Sequence, residues 1–231
     1  MDPIYRIEHD GHSRHVLRRD GTWYFLEGDP FGRHTAGARV EGPEPRVLSP
    51  AVPSKIVAVG LNYKDHAVEM NKPLPDEPLI FLKPSTAVIG TGASIVIPVD
   101  AGRVDYEAEV GVVIGRTARN VPAARAHEYV LGLTCVNDVT DRDLQRRDVQ
   151  YTRAKGFDTF APVGPCIAAC DLDRSIAVES RINGERRQHS STRELIFPIR
   201  RLVEFVTAVM TLLPGDIIST GTLPGVGPIV P

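Results

Sequence analysis

Residues Arg103–Gly115 read R-V-D-Y-E-A-E-V-G-V-V-I-G. The pattern predicts a β-strand, and side chains on a strand alternate between its two faces. Asp105, Glu107 and Glu109 then share one face, and Val104, Tyr106, Ala108, Val110, Val112 and Ile114 form an apolar stripe on the other. Strands disfavour acidic residues, and the continuation V-G-V-V-I-G is too apolar for an exposed edge. Carboxylates two apart on a strand have Cα atoms about 6.5–7 Å apart, so their side chains can converge on one point. Without a cation such convergence is repulsive; with a hard divalent ion it supplies oxygen ligands. The stretch therefore points to a core strand that holds a metal.

A third oxygen ligand has to come from elsewhere in the chain. Asp138, in C135-V-N-D-V-T-D-R-D-L-Q145, is the candidate. It stands at the predicted end of one strand and just before a helix, where functional loops concentrate. The same position also suits an N-cap near Thr140.

The 231 residues suit one large domain, or a small one beside a larger one. With 27 basic and 29 acidic residues the net charge is −2, and the arginines are dispersed, which argues against nucleic acid as a partner. The N-terminus M-D-P-I-Y-R-I-E-H-D-G has no apolar signal region, and no run of about 18 apolar residues occurs. The expectation is a cytoplasmic protein without a membrane partner. Cys135, Cys166 and Cys170 lack the paired spacing of a zinc site and read as reduced thiols.

Residues 1–48 predict a small antiparallel β domain. Its strands fall near 4–9, 13–19 and 22–27, with Asp10-Gly11 and Asp20-Gly21 as hairpin turns. His9, His12 and His15 flank a turn, and a spacing of three puts neighbours on opposite faces, so they read as surface histidines. The proline-rich stretch E41-G-P-E-P-R-V-L-S-P-A-V-P53 is a stiff connector. Residues 49–231 form the second domain. Strands are expected at 55–59, 79–83, 87–89, 94–97, 131–137 and 216–220, with helices near 62–70, 123–130, 140–149 and 198–213. Strands dominate and helices are peripheral, a mainly β, α+β architecture.

The motifs G60-L-N-Y-K-D-H-A-V-E69, F81-L-K-P-S-T86, D105-Y-E-A-E109, N137-D-V-T-D-R-D-L-Q145, K155-G-F-D-T-F-A-P-V-G164 and G221-T-L-P-G-V-G227 occur in this order. Together they closely resemble the fumarylacetoacetate hydrolase family, across roughly residues 55–227. The similarity is to its short branch of acylpyruvate hydrolases, oxaloacetate decarboxylases and 2-hydroxyhepta-2,4-diene-1,7-dioate isomerases. That resemblance implies a mixed β-roll, a homodimer, and Glu107, Glu109 and Asp138 as ligands of Mg²⁺ or Mn²⁺, with Ca²⁺ a substitute in crystals. It leaves Asp105 as a neighbour that hydrogen-bonds or pairs with an arginine.

The resemblance also implies roles for residues that would otherwise read as solvated surface. His66 and Glu69 are i and i+3 on one helix face and match a lid-borne base and its orienting carboxylate, with residues 71–78 as a hinge that orders with ligand. Lys155 matches a cation that stabilises developing oxyanion charge. Arg142, Gln145 and Thr222 match contacts to the acid end of the substrate. The implied chemistry is hydrolytic C–C cleavage of an acylpyruvate-type 1,3-diketo acid through a metal-stabilised enolate. The alternative on the same site is decarboxylation of an oxaloacetate-type acid or isomerisation of a hydroxymuconate-type dienol. Two departures stand out. The glycine loop reads G-T-L-P-G-V-G rather than G-T-P-x-G-V-G, and the chain ends at Pro231, where relatives continue. A C-terminally truncated roll, or one closed differently, is the expectation.

Overall fold

The structure is a computed structural model that describes residues 2–229; the chain end at Pro231, and how the roll closes there, lie outside the described residues. Four antiparallel strands come first: β1 (Ile4–His9), β2 (His12–Arg19), β3 (Thr22–Gly28) and β4 (His34–Arg39). Asp10 and Asp20 take φ of 50° and 48°, followed by Gly11 and Gly21 at 73° and 80°, as two-residue hairpin turns require. Ile7, Val16 and Trp23 make a small core of their own, whereas Ile4 and Leu17 pack with Ile56, Val113 and Ile217 from the rest of the chain.

The connector is less irregular than its prolines suggest, because β5 (Arg46–Leu48) pairs with β1. Next come β6 (Lys55–Val59), α1 (Lys64–Glu69), β7 (Ile80–Pro84) and β8 (Val88–Ile89). Residues 94–97 form no strand; the Val96 N–H donates to Thr159 Oγ1 at 2.8 Å instead of to a ladder partner.

The acidic stretch is two strands, not one: β9 (Val104–Tyr106) and β10 (Ala108–Ile114). The break falls at Glu107, whose N–H donates to Asn137 Oδ1 at 2.9 Å. The expected apolar stripe is divided accordingly. Val104 packs with Val139 and Phe160, whereas Val110, Val112 and Ile114 belong to the main core. Beyond Glu109 both faces of β10 are buried, with Val113 in the second core cluster, which explains its near-continuous apolar sequence.

The remaining elements are β11 (Val130–Asn137), β12 (Thr140–Asp141), α2 (Arg142–Arg147), α3 (Thr152–Lys155), β13 (Ala161–Ala168), β14 (Ala177–Ile182), β15 (Glu185–Ser191), α4 (Ile199–Val209), β16 (Ile217–Thr222) and β17 (Gly227–Pro228). The helix expected at 123–130 is a 3-10 helix, Ala123–Glu128, behind Pro122. That expected at 140–149 starts later, because Asp141 is the N-cap, accepting from the N–H groups of Asp143 and Leu144. α4 stops at Val209, and Leu212 forms a two-way backbone bridge with Ala118.

A 12-stranded sheet runs β4-β3-β2-β1-β13-β11-β10-β16-β6-β7, with β5 on β1 and β8 on β13. Its pairs are antiparallel except β16–β6 and β13–β8. β12, β9 and β17 form a second sheet, and β14–β15 a separate hairpin. Among the described residues, no helix is long and apolar enough to cross a membrane.

Candidate active site

The backbone break at Glu107 and the pairing of β10 with β11 assemble the acidic cluster. Ala108 stands opposite Asn137, and the Asp138 N–H donates to the Glu107 carbonyl at 2.8 Å. Glu107, Glu109 and Asp138 thereby place one carboxylate oxygen each within 4.8 Å of the others, the one such group of three ligand-type residues found among the described residues. Asp138 does not cap α2, since Asp141 does. The three are 6%, 2% and 1% exposed, so their charges must be balanced from within.

Two of the three are. Lys155 Nζ donates to Glu107 Oε2 at 2.8 Å, to Asp138 Oδ2 at 2.5 Å and to Thr140 Oγ1 at 2.7 Å. Arg142 donates from Nη2 to Glu107 Oε1 at 2.5 Å and from Nε to Asp105 Oδ2 at 2.8 Å. Lys83 Nζ donates to Asp138 Oδ1 at 2.5 Å. Glu109 differs: its Oε2 accepts from Ser219 Oγ at 2.5 Å and from the Gly221 N–H at 2.9 Å, and among the described residues no cationic side chain pairs with it. Gly221 has φ of 99°, and a Cβ there would lie 2.8 Å from the Asn62 Cβ; only glycine brings that N–H to the carboxylate.

Protonation follows this division. Burial raises Glu107, but Lys155 and Arg142 overcome it and hold the carboxyl down at about 2. Burial and the charges of Asp138 and Glu107 push Glu109 up to about 8. Burial lowers Lys155, yet Asp138 and Glu107 more than reverse it and raise the ammonium above its ordinary value. Lys83, wholly buried, is lowered by burial, with the Lys155 charge adding to the effect. The cluster lacks positive charge at Glu109. An all-oxygen set of carboxylates with that deficit fits a hard divalent cation of the Mg²⁺, Mn²⁺ or Ca²⁺ kind.

A cavity of about 610 Å³ opens onto this cluster, lined in part by His66, Glu69, Phe81, Glu107, Glu109, Arg142, Gln145, Lys155 and Thr222. Eight of the nine residues singled out from sequence share its wall, and Asp138 lies behind it. The His66–Glu69 pair is already assembled, with Nδ1 2.8 Å from Oε2. Glu69 Oε1 accepts from the Gly225 N–H at 3.0 Å. A carboxylate at Nδ1 selects the Nδ1–H tautomer and leaves Nε2 as the basic nitrogen.

The expected contacts to substrate are held by other groups. Each donor nitrogen of Arg142 has a partner, the third being Gln145 Oε1 at 2.8 Å, so Gln145 turns its amide donors elsewhere. The Thr222 hydroxyl donates to the Ala108 carbonyl at 3.0 Å and accepts from Gln188 Nε2 at 2.9 Å. Asp105, paired with Arg103 at 2.7 Å as well as with Arg142, holds Arg142 in place.

Two buried residues escaped the sequence reading. Lys83 sits in the quoted F-L-K-P motif, and on β7 it shares a face with Phe81; a lysine in an apolar strand was the available signal. Gln188 carries no such signal, since E-R-R-Q-H-S-S reads as an exposed polar strand.

A sequence profile described as fumarylacetoacetate (FAA) hydrolase C-terminal matches residues 55–230. An uncharacterised protein of Archaeoglobus fulgidus is 57% identical over 182 residues, 79% of this chain and 73% of its own length. The X-ray structure of 5-carboxymethyl-2-hydroxymuconate delta-isomerase from Mycobacterium smegmatis is similar with a TM-score of 0.90 and 44% identity, over 98% of this chain and 90% of that one. A fumarylacetoacetate hydrolase from psychrophilic Exiguobacterium antarcticum is similar at 0.88 and 32%, over 98% and 88%.

Proposed function

This chain belongs to the fumarylacetoacetate hydrolase family of enzymes, and we propose that it hydrolyses a C–C bond in an acylpyruvate-type 1,3-diketo acid. The observation that carries this reading is the His66–Glu69 pair, joined at 2.8 Å and sharing a cavity with Glu107, Glu109 and Lys155. Glu107, Glu109 and Asp138 would hold the divalent cation. When bound, it would supply Lewis acidity toward the 2-oxo acid and toward enolate charge.

The protein's own groups do the rest. His66 Nε2 takes a proton from water, and Glu69, bonded to Nδ1–H, stabilises the imidazolium that forms. The water oxygen adds to the distal carbonyl carbon, and the bond from that carbon to C3 breaks. Its electron pair stays on C3 as the enolate of the 2-oxo acid, the distal carbon leaves as a carboxylic acid, and His66 returns the proton to C3. The three N–H bonds of Lys155 are already engaged, so it acts on developing negative charge through its field and by fixing Glu107 and Asp138. Wall residues such as Phe81, whose ring lies 5.0 Å from Lys155 Nζ, keep water from screening that field.

A second reading, isomerisation of a hydroxymuconate-type dienol, is favoured by the likeness at 44% identity to the Mycobacterium smegmatis isomerase. It needs the same dyad to move a proton but no attacking water. A coupled assay with Mg²⁺ or Mn²⁺, controlled with EDTA, tests the proposal on acetylpyruvate, oxaloacetate and a 2-hydroxymuconate. EDTA-sensitive turnover fastest on acetylpyruvate is expected. Faster loss of CO₂ from oxaloacetate, or turnover of the dienol alone, replaces hydrolysis with decarboxylation or isomerisation.

A further inference from the structure

α1 carries the dyad, yet little in its own sequence holds it in place. It has six residues, of which only His66 and Ala67 are buried, while Val68 and Met70 are 79% and 44% exposed. A helix this short is unstable by itself; its N-cap Tyr63 is buried in the main core, but the helix proper has little apolar anchorage. Beyond that N-terminal anchor, its position comes from a few polar ties.

Those ties lead to the β14–β15 hairpin. On β15, Gln188 and Ser190 are buried while Arg187 and His189 are exposed, so one face of an otherwise solvated strand is turned inward. Ser190 Oγ donates to Asp65 Oδ2, and Asp65 Oδ1 accepts from the His66 N–H at 2.9 Å. Gln188 Nε2 donates to Thr222 Oγ1 at 2.9 Å and to the Leu223 carbonyl at 2.8 Å, and its Oε1 accepts from the Ala108 N–H at 2.9 Å. The glycine loop so held presents the Gly225 N–H to Glu69 Oε1 at 3.0 Å. Both ends of α1 therefore lean on one hairpin, directly at Asp65 and through the glycine loop at Glu69.

We propose that Ser190 and Asp65 are positioning residues, whose hydrogen bond holds α1 where His66 faces the carboxylate cluster. The role of His66 as a base rests on the function proposed above; the tie itself does not depend on the substrate.

Hydrogen exchange on the metal-free, substrate-free protein tests the tie. The amides of Ala67, Met70, Asn71 and Lys72, bonded to carbonyls within or beside α1, are the reporters. Ser190→Ala should speed their exchange about tenfold, the worth of one hydrogen bond to a charged group, and Asp65→Ala, which also removes the acceptor of the His66 N–H, should speed it at least as much. The double variant should be no faster than Asp65→Ala alone, because that substitution already removes the bond from Ser190. Amides of β10 should keep their protection, and Mn²⁺ affinity should stay within twofold. The His66 imidazole ¹⁵N shifts should move toward those of free histidine as the hold on the Glu69 partner loosens. If Ser190→Ala does not fold, Asp65→Ala carries the test. Exchange in α1 within twofold of the wild type, or additive effects in the double variant, would overturn the proposal. Failure to turn over any diketo acid would sink the hydrolase reading and leave the exchange result standing.

Discussion

Lys83 Nζ lies 2.5 Å from Asp138 Oδ1, and both side chains are closed to solvent, at 0% and 1% exposure. A cation wholly out of water is tolerated only beside its counter-charge, and removing one partner of such a pair costs about 3–5 kcal/mol. Lys83→Met should therefore lower the metal-free melting temperature by roughly 10 °C. It also leaves the cluster more negative, so saturating Mn²⁺ should raise that temperature more in the variant than in the wild type. Thermal melts with and without Mn²⁺ check both; equal metal-induced shifts would show that Lys83 does not balance the cluster.

Glu109→Gln separates charge from shape. The amide oxygen can still accept from Ser219 and Gly221, which hold Oε2 at 2.5 and 2.9 Å. Because burial and the two neighbouring carboxylates push Glu109 up to about 8, it carries little charge at neutral pH in the metal-free fold, and the amide should cost that fold less than about 1 kcal/mol. Mn²⁺ affinity, read by calorimetry, should fall at least about 100-fold. Retained affinity would remove Glu109 from the ligand set.

His66→Gln should reduce hydrolysis by about 10²–10⁴, the usual worth of a general base, with Mn²⁺ affinity unchanged because His66 touches none of the three carboxylates. Glu69→Gln should cost less, since its carbonyl oxygen can keep either the histidine or the Gly225 N–H. Steady-state kinetics on the hydrolysed substrate decide, and wild-type turnover by His66→Gln would sink the dyad. Decarboxylation, which needs no attacking water, should survive the same substitution.

Asp216 anchors the frame that carries the site. Its Oδ1 accepts from the Ser54 N–H at 2.9 Å and the Ser54 hydroxyl at 2.7 Å, and its Oδ2 from Lys55 Nζ at 2.6 Å and the Leu213 N–H at 2.9 Å. Burial raises this carboxyl, but the bonds from Leu213, Lys55 and Ser54 outweigh it and hold it below its ordinary 3.8. The folded value is thus below the unfolded one, so the stabilisation is complete above pH 3.8 and is lost as pH falls through the lower folded value. Asp216→Asn should destabilise by about 3 kcal/mol near pH 7, with a gap to the wild type that narrows below about pH 4. Denaturation at pH 7 and pH 3 tests this; an equal gap at both would exclude the charge as the cause.

Local chemistry that repeats along the chain was readable from the sequence. The Asp-Gly turns, the alternation of β1–β3 and the 3.6-residue period of α4 depend on neighbours within a few residues, as did the buried, apolar run of β10. The motif order carried the resemblance, and with it nine site residues, eight of which the fold places on the wall of one cavity with Asp138 behind it. Two boundaries failed for a shared reason: at Glu107 and at residues 94–97 a backbone N–H is taken by a distant side chain, Asn137 or Thr159, and no local pattern reports such a partner.

Tertiary structure alone decided which charges meet. The pairing of Ala108 with Asn137 brings Asp138 beside Glu107, and a shift by one residue would turn it to the other face. The same packing delivers Lys83 and Lys155 from remote elements and, among the described residues, leaves Glu109 without a cationic side chain. It also engages Arg142 with Asp105, Glu107 and Gln145, and Thr222 with Gln188 and the Ala108 carbonyl. Sequence determined which oxygens the protein possesses; the distances that set their protonation and their appetite for a metal arise only when strands far apart in the chain pair in register.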